Sequence, residues 1–140
     1  MAEFERNKQT VVAFFTRAFN DHEPADAVAR YVGSQYIQHN PDTPDGAEAF
    51  VKNTQFMIQR FPGLRVEIKR AIAEGDLVAV HWTIWGTNTQ PGMGFPATGK
   101  KIRISGITIF RFKAGKIAEE WGAFDMLSVL KQLGLFPPKS

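Results

Sequence analysis

Asp125 stands where an aromatic-rich run, Lys116-Ile-Ala-Glu-Glu-Trp-Gly-Ala-Phe-Asp125, gives way to the apolar, helix-like Met126-Leu-Ser-Val-Leu-Lys-Gln-Leu133. A carboxylate at such a junction has two uses. It caps the helix, an arrangement worth about 1 kcal/mol, or it enters the cavity that strand and helix enclose and performs acid–base chemistry there. In an extended chain Glu119, Trp121, Ala123 and Asp125 share one face, and Glu120, Gly122 and Phe124 share the other. If the Trp121 face is concave, an aromatic wall and a carboxylate meet in a desolvated pocket. Desolvation moves a carboxyl towards the neutral pH at which a general acid or base operates. The spacing alone leaves capping and catalysis both open.

Three histidines offer partners. His22 lies in a polar turn. His39 sits in Tyr36-Ile-Gln-His-Asn-Pro41, where Gln38, Asn40 and the turn backbone can orient its ring. His81 is mid-strand in Val78-Ala-Val-His-Trp-Thr-Ile-Trp85. His81 and Trp82 must point to opposite faces of one strand, and the reading adopted here turns His81 inward. No His-x-His or His-x-x-x-His spacing and no ligand-like carboxylate offset suggests a metal. There is no Gly-x-Ser-x-Gly elbow, and the glycines between Gly92 and Gly99 lack the phosphate-cradling pattern with its lysine.

The elements that must position these groups follow from periodicity. Phe4, Val11, Val12, Phe15, Ala18 and Phe19 recur at helical spacing. Pro24 suits the first turn of a second helix, where its missing N–H costs nothing. The stretch from Tyr36 to Gly46 reads as turns, and Asp45 as the N-cap of a third helix carrying Phe50, Met57 and Phe61. After Gly63 the period becomes two, predicting strands over Leu64–Ile72, Leu77–Trp85, Lys101–Phe112 and Lys116–Asp125. Tight turns are expected at Glu74-Gly-Asp76 and Lys113-Ala-Gly-Lys116, and a looser segment from Gly86 to Gly99. Three helices, a four-stranded antiparallel meander and a short C-terminal helix make an α+β layout. The sheet is expected to curve strongly into a cone around the N-terminal helices.

Composition narrows the classes. A chain of 140 residues suits one domain, spanning residues 1–140. It has no cysteine, which excludes disulfides and thiol nucleophiles. No apolar run reaches the roughly 20 residues of a membrane span, and the charged start is unlike a secretory signal, so a cytoplasmic protein without membrane contact is expected. The net charge of +3 is scattered, with Lys100, Lys101 and Arg103 as its one cluster. No aromatics interleave with that cluster, which argues against a nucleic-acid partner. The 12 Phe, 3 Trp and 2 Tyr suggest an enclosed, flat-walled pocket for a small hydrophobic ligand. The candidate contacts are Tyr36, Gln38, Asn40, Trp85, Trp121, Phe15 and Met57.

The motifs Tyr36–Pro41, Ala73–Trp82 and Ile109–Trp121, with Asp125 and Gln132-Leu-Gly134 after them, resemble the SnoaL-like polyketide cyclase, or ester cyclase, branch of the nuclear transport factor 2-like superfamily. The resemblance spans nearly the whole chain. It implies a curved-sheet cone, a homodimer through the sheet, and a cofactor-free intramolecular aldol closure. It also implies that Asp125 is the acid–base group. Chemically, a preorganised histidine supports the enolate oxygen, and His39 and His81, polarising or orienting the substrate, are the remaining catalytic candidates. The chain departs from the cyclase pattern before the final hairpin, where a further histidine is expected and Ile107, Thr108, Ile109 and Arg111 stand. Dehydration, isomerisation or epoxide hydrolysis would use the same pocket carboxylate, and a non-catalytic binding or dimerisation module would need none.

Overall fold

The computed structural model describes residues 2–40, 45–92 and 96–137. Its elements in chain order are α1 (Glu3–Phe15), a π-helical turn (Thr16–Asn20), α2 (Pro24–Tyr31), β1 (Val32–Gln38), α3 (Ala47–Arg60), β2 (Arg65–Glu74), β3 (Leu77–Thr87), β4 (Lys101–Lys113), β5 (Lys116–Phe124) and α4 (Met126–Gln132). The α+β expectation is met, with one strand more than the periodicity predicted. The five strands lie in the order β1-β5-β4-β3-β2. The last four form the antiparallel meander, and β1 joins its β5 edge in parallel.

β1 escaped the sequence reading because Val32-Gly-Ser-Gln-Tyr-Ile-Gln38 lacks the apolar alternation that marks a half-buried strand. Towards its C-terminal end the inward side chains, Tyr36 and Gln38, carry polar groups. Part of the expected turn, residues 41–44, and part of the expected loose segment, residues 93–95, lie outside the described residues. Asp45 does not cap α3, whose N-cap position is Gly46. The Asp45 carboxylate instead accepts from the backbone N–H of Gln38 (2.7 Å) and of Gly46 (2.8 Å), tying the end of β1 to the start of α3. The hairpin turns fall where predicted, with positive φ at Gly75, Ala114 and Gly115.

Pairing fixes the phase of every strand. Trp82 pairs with Gly106, Val80 with Thr108 and Val78 with Phe110. Gly106, Thr108 and Phe110 then pair with Phe124, Gly122 and Glu120. Because paired residues point to the same side, these form the inner face, where Val78, Val80, Ile84, Ile102, Ile104, Phe110 and Phe112 bury against Val11, Phe14, Phe15, Ala18 and Phe19. The aromatic residues interlock in that core. Phe15 stacks on Phe19 and meets Phe110 edge-on, both at 5.7 Å, while Phe14 meets Phe50 at 5.1 Å. The surplus of rings therefore fills the space between helix and sheet, where the sequence reading expected a closed aromatic pocket. Among the described residues, no helix is long and apolar enough to cross a membrane.

Two side-chain amides complete strands that lack a neighbour. Asn20, at the end of the π-helical turn, accepts from Val66 N–H (2.7 Å) and donates to Val66 C=O (3.2 Å). Gln132 accepts from Arg103 N–H and donates to Arg103 C=O, both at 2.8 Å. The second pair docks α4 on β4 and gives the Gln-Leu-Gly ending a structural purpose.

Candidate functional site

The inner face carries a polar cluster. Tyr36, Gln38 and Asn40 alternate along β1 and its extension, with Ile37 and His39 turned outward. Gln38 pairs with Glu120 across the parallel seam, and the Tyr36 hydroxyl donates to the Glu120 carboxylate in a short hydrogen bond. Glu120 is 5 % exposed. Burial pushes its carboxyl up to about 7, with the Tyr36 bond acting in the opposite sense. Burial, and then the charge of Glu120, push the Tyr36 hydroxyl above the ordinary phenol range.

Next to this pair, Asn40 donates to Gln38 Oε1 (2.8 Å). Its own Oδ1 is buried and has no hydrogen-bond partner among the described residues. Trp82 Nε1 donates to Thr108 Oγ1 (2.9 Å). Two glycines make the room. A β-carbon on Gly122 would stand 2.7 Å from Asn40 Oδ1, and one on Gly106 would stand 2.4 Å from the Trp82 ring. Towards the end of β5 the inner face opens, for Phe124 is 49 % exposed.

The proposed catalytic trio is not brought together. Asp125 is exposed, and its Oδ1 accepts from Ser128 N–H (2.9 Å) at the start of α4. His39 lies on the outer face, stacked on Trp121 with ring centroids 5.0 Å apart. Its Nε2 reaches Glu119 Oε2 (2.6 Å), and Arg111 holds the other oxygen of that carboxylate (2.7 Å). These two contacts, Arg111 first, keep the Glu119 carboxyl below its ordinary range. His81 pairs with Ile107 and Arg70 on the outer face, whereas Trp82 is the inward residue. The inward placement of His81 is thus corrected. Strand parity allows one of the two inside, and the larger apolar ring takes the core position.

The Trp121 face is likewise the outer one. The desolvation argument made for Asp125 applies instead to Glu120, one step out of phase. The sequence signal for it was Gly122 on the Glu120 side, marking close approach of another group. Of the remaining candidate contacts, Phe15 is core, Met57 is half-buried against the core, and Trp85 is outward beneath Arg65 (4.5 Å) and Lys69 (5.3 Å). Two open concavities lie away from the cluster. One, about 630 Å³, runs from Lys8 to Asp21 beside Tyr31 and Ala71. The other, about 490 Å³, lies along Asp45, Glu48 and Lys52. Among the described residues no set of three His, Asp or Glu groups gathers as metal ligands would.

The family model for SnoaL-like polyketide cyclases matches residues 9–133. The chain belongs to the SnoaL-like polyketide cyclase family. Its nuclear transport factor 2-like fold is shared with solved structures of this kind. TsrD from Streptomyces laurentii superposes with a TM-score of 0.83 at 25 % identity, over 91 % of this chain and 95 % of that one. AclR from Streptomyces galilaeus gives 0.84 at 23 % identity, over 98 % and 86 %. A SnoaL-like polyketide cyclase from Agrobacterium tumefaciens gives 0.75 at 18 % identity, over 91 % and 98 %. The last two likenesses bear on the fold alone. No match was found among curated proteins. In this SnoaL-like chain the inner cluster draws its polar groups from β1 and the residues just after it, and from β3, β4 and β5.

Proposed function

We propose that this SnoaL-like protein is a cofactor-free general acid–base enzyme acting on a small, largely apolar carbonyl compound, in the manner of an intramolecular aldol closure. The observation that carries the reading is the buried Asn40 Oδ1, which lies over Gly122 within the polar cluster and has no hydrogen-bond partner among the described residues. A buried acceptor without a partner is costly unless something supplies a donor, and an enol or hydroxyl of a folded polyketide-like chain is such a donor. Gln38 and Asn40 then orient the substrate, whose hydrocarbon lies towards Phe124, where the inner face opens. The family resemblance implies an acid–base group at Asp125, but that carboxylate is exposed and caps α4 through Ser128 N–H, so the proton carrier of this reading is a carboxyl on the inner face.

The homodimer belongs to the same proposal. Ile107 (56 % exposed), Ile109 (38 %) and Trp121 (37 %) lie together on the outer face. A second copy laid on this apolar tract would cover it.

The test is binding and turnover on apolar ketones. Emission from Trp82, beside the cluster, should respond to a benzo-fused cyclic ketone such as β-tetralone, and Asn40→Leu should weaken that response about tenfold, the equivalent of one lost hydrogen bond. A response identical in wild type and Asn40→Leu would remove the cluster from ligand binding.

A further inference from the structure

A buried carboxyl on that face is still without an assigned part. Glu120 sits midway along β5, on the inner face, and its contacts are polar only on the β1 side, where Tyr36 donates to it. The paired β4 residue is Phe110, which is 1 % exposed. No cation is bonded to Glu120 among the described residues. The other charged group that acts on Tyr36 is Asp45, with the same sign as Glu120. A carboxyl placed to stabilise the fold would be expected to face an arginine, as Glu119 one residue earlier faces Arg111. Glu120 shares the inner face with Gly122, over which the Asn40 oxygen lies, and with Phe124, where that face becomes exposed.

We infer that Glu120, held by Tyr36, is the group that moves protons within the cone. This rests on the acid–base reading above and names its proton carrier. Asp125 lies five residues further along, about 16 Å at the rise of an extended strand, so the two carboxyls cannot serve one reacting bond. In an aldol closure the Glu120 carboxylate takes the proton from the carbon next to the carbonyl. The freed electron pair becomes the enolate and then the new carbon–carbon bond. The accepting carbonyl's π pair goes to its oxygen, and the neutral Glu120 carboxyl returns the proton to that alkoxide. No oxidant, reductant or second substrate enters, and Glu120 ends as it began. Its upward-shifted carboxyl has both forms populated near neutrality, which suits a group that must act first as base and then as acid. Tyr36 is a positioning residue, acting through Glu120.

The experiment follows deuterium entry into β-tetralone in deuterium oxide by proton NMR, which reads the first proton removal alone. Wild type, Glu120→Gln, Asp125→Asn and Tyr36→Phe are compared, with the exposed Glu67→Gln as control. Glu120→Gln is expected to slow exchange about a hundredfold. Full exchange in Glu120→Gln with loss in Asp125→Asn would overturn the role of Glu120 and leave the acid–base reading standing. Wild type no faster than free acetate would overturn the reading itself. Should Glu120→Gln fail to fold, Tyr36→Phe decides. Removing the hydroxyl removes a bond that favours the charged carboxylate, so the rising limb of the rate profile should move to higher pH. An unmoved limb would sink the proposal.

Discussion

The amide oxygen of Asn40 lies over Gly122, 2.7 Å from where a β-carbon there would stand. The glycine is thus part of the polar cluster through the side chain it lacks. Gly122→Ala should push the Asn40 amide away and weaken ketone binding about tenfold, at a stability cost of about 1 kcal/mol. Gly106→Ala should be worse for stability, about 2–3 kcal/mol, because the new carbon meets the Ala123 carbonyl at 2.6 Å as well as the Trp82 ring. Backbone yields less than a side chain does. Urea titrations of both variants check the order, and the reverse ranking would contradict the packing described.

Asp125 caps α4 through Ser128 N–H, and this permits a clean separation of structure from chemistry. Asparagine caps helices about as well as aspartate, whereas alanine does not. Asp125→Asn should keep stability within about 0.5 kcal/mol of wild type and Asp125→Ala should lose about 1 kcal/mol. If thermal denaturation gives equal losses for both, the carboxylate is held by its charge and not by the cap.

Glu120 makes stability depend on pH in the unusual direction for a carboxyl. Its folded value of about 7 lies above the ordinary 4.5. Between those two values the folded protein keeps a proton that the unfolded chain has released. Stability from this group is therefore present at low pH and falls as pH rises through the window, by about 1.4 kcal/mol per unit. Glutamine imitates the neutral carboxyl, so Glu120→Gln should gain on wild type steadily from about pH 4.5 to 7 and then level off. A difference between the two that is flat with pH would show that Glu120 is ionised in the folded protein.

Gln132 satisfies both backbone groups of Arg103. Gln132→Leu keeps the bulk and loses both bonds. With water able to replace part of them, the cost should be about 1–2 kcal/mol, and hydrogen exchange at Arg103 N–H should rise while the β3–β4 ladder stays protected. Unchanged protection at Arg103 would mean that α4 docks without this amide.

The meander, its hairpins and the helix around Phe14 and Phe15 were legible in the sequence because each buries one apolar face, and burial writes a period. The site was legible only in part. Tyr36, Gln38 and Asn40 were recognised as a group, but the strand carrying them was not, since a strand whose later inner positions carry polar groups shows no apolar alternation. The phase of β5 was read correctly, with Trp121 and Asp125 opposite Glu120. Which face is concave was a separate matter that β5 alone leaves undetermined. It follows from Trp82, which must be inside because it fills the space over Gly106. The same fact turns His81 outward. Asp45 was misassigned because N-capping competes with bridging two backbone segments, and tertiary pairing with Gln38 favoured the bridge.

The polar groups of the inner face are divided unequally between an edge and a centre. β1 and the two residues after it supply three of them, and β1 is bonded to one neighbouring strand only. The meander supplies Glu120, Thr108 and the Trp82 indole N–H, and carries the core. Recognition and architecture are thereby placed on separate parts of the chain. Residues 38 and 40 can be exchanged to suit a different ligand while Tyr36 and the meander that hold the Glu120 carboxyl in place are left untouched.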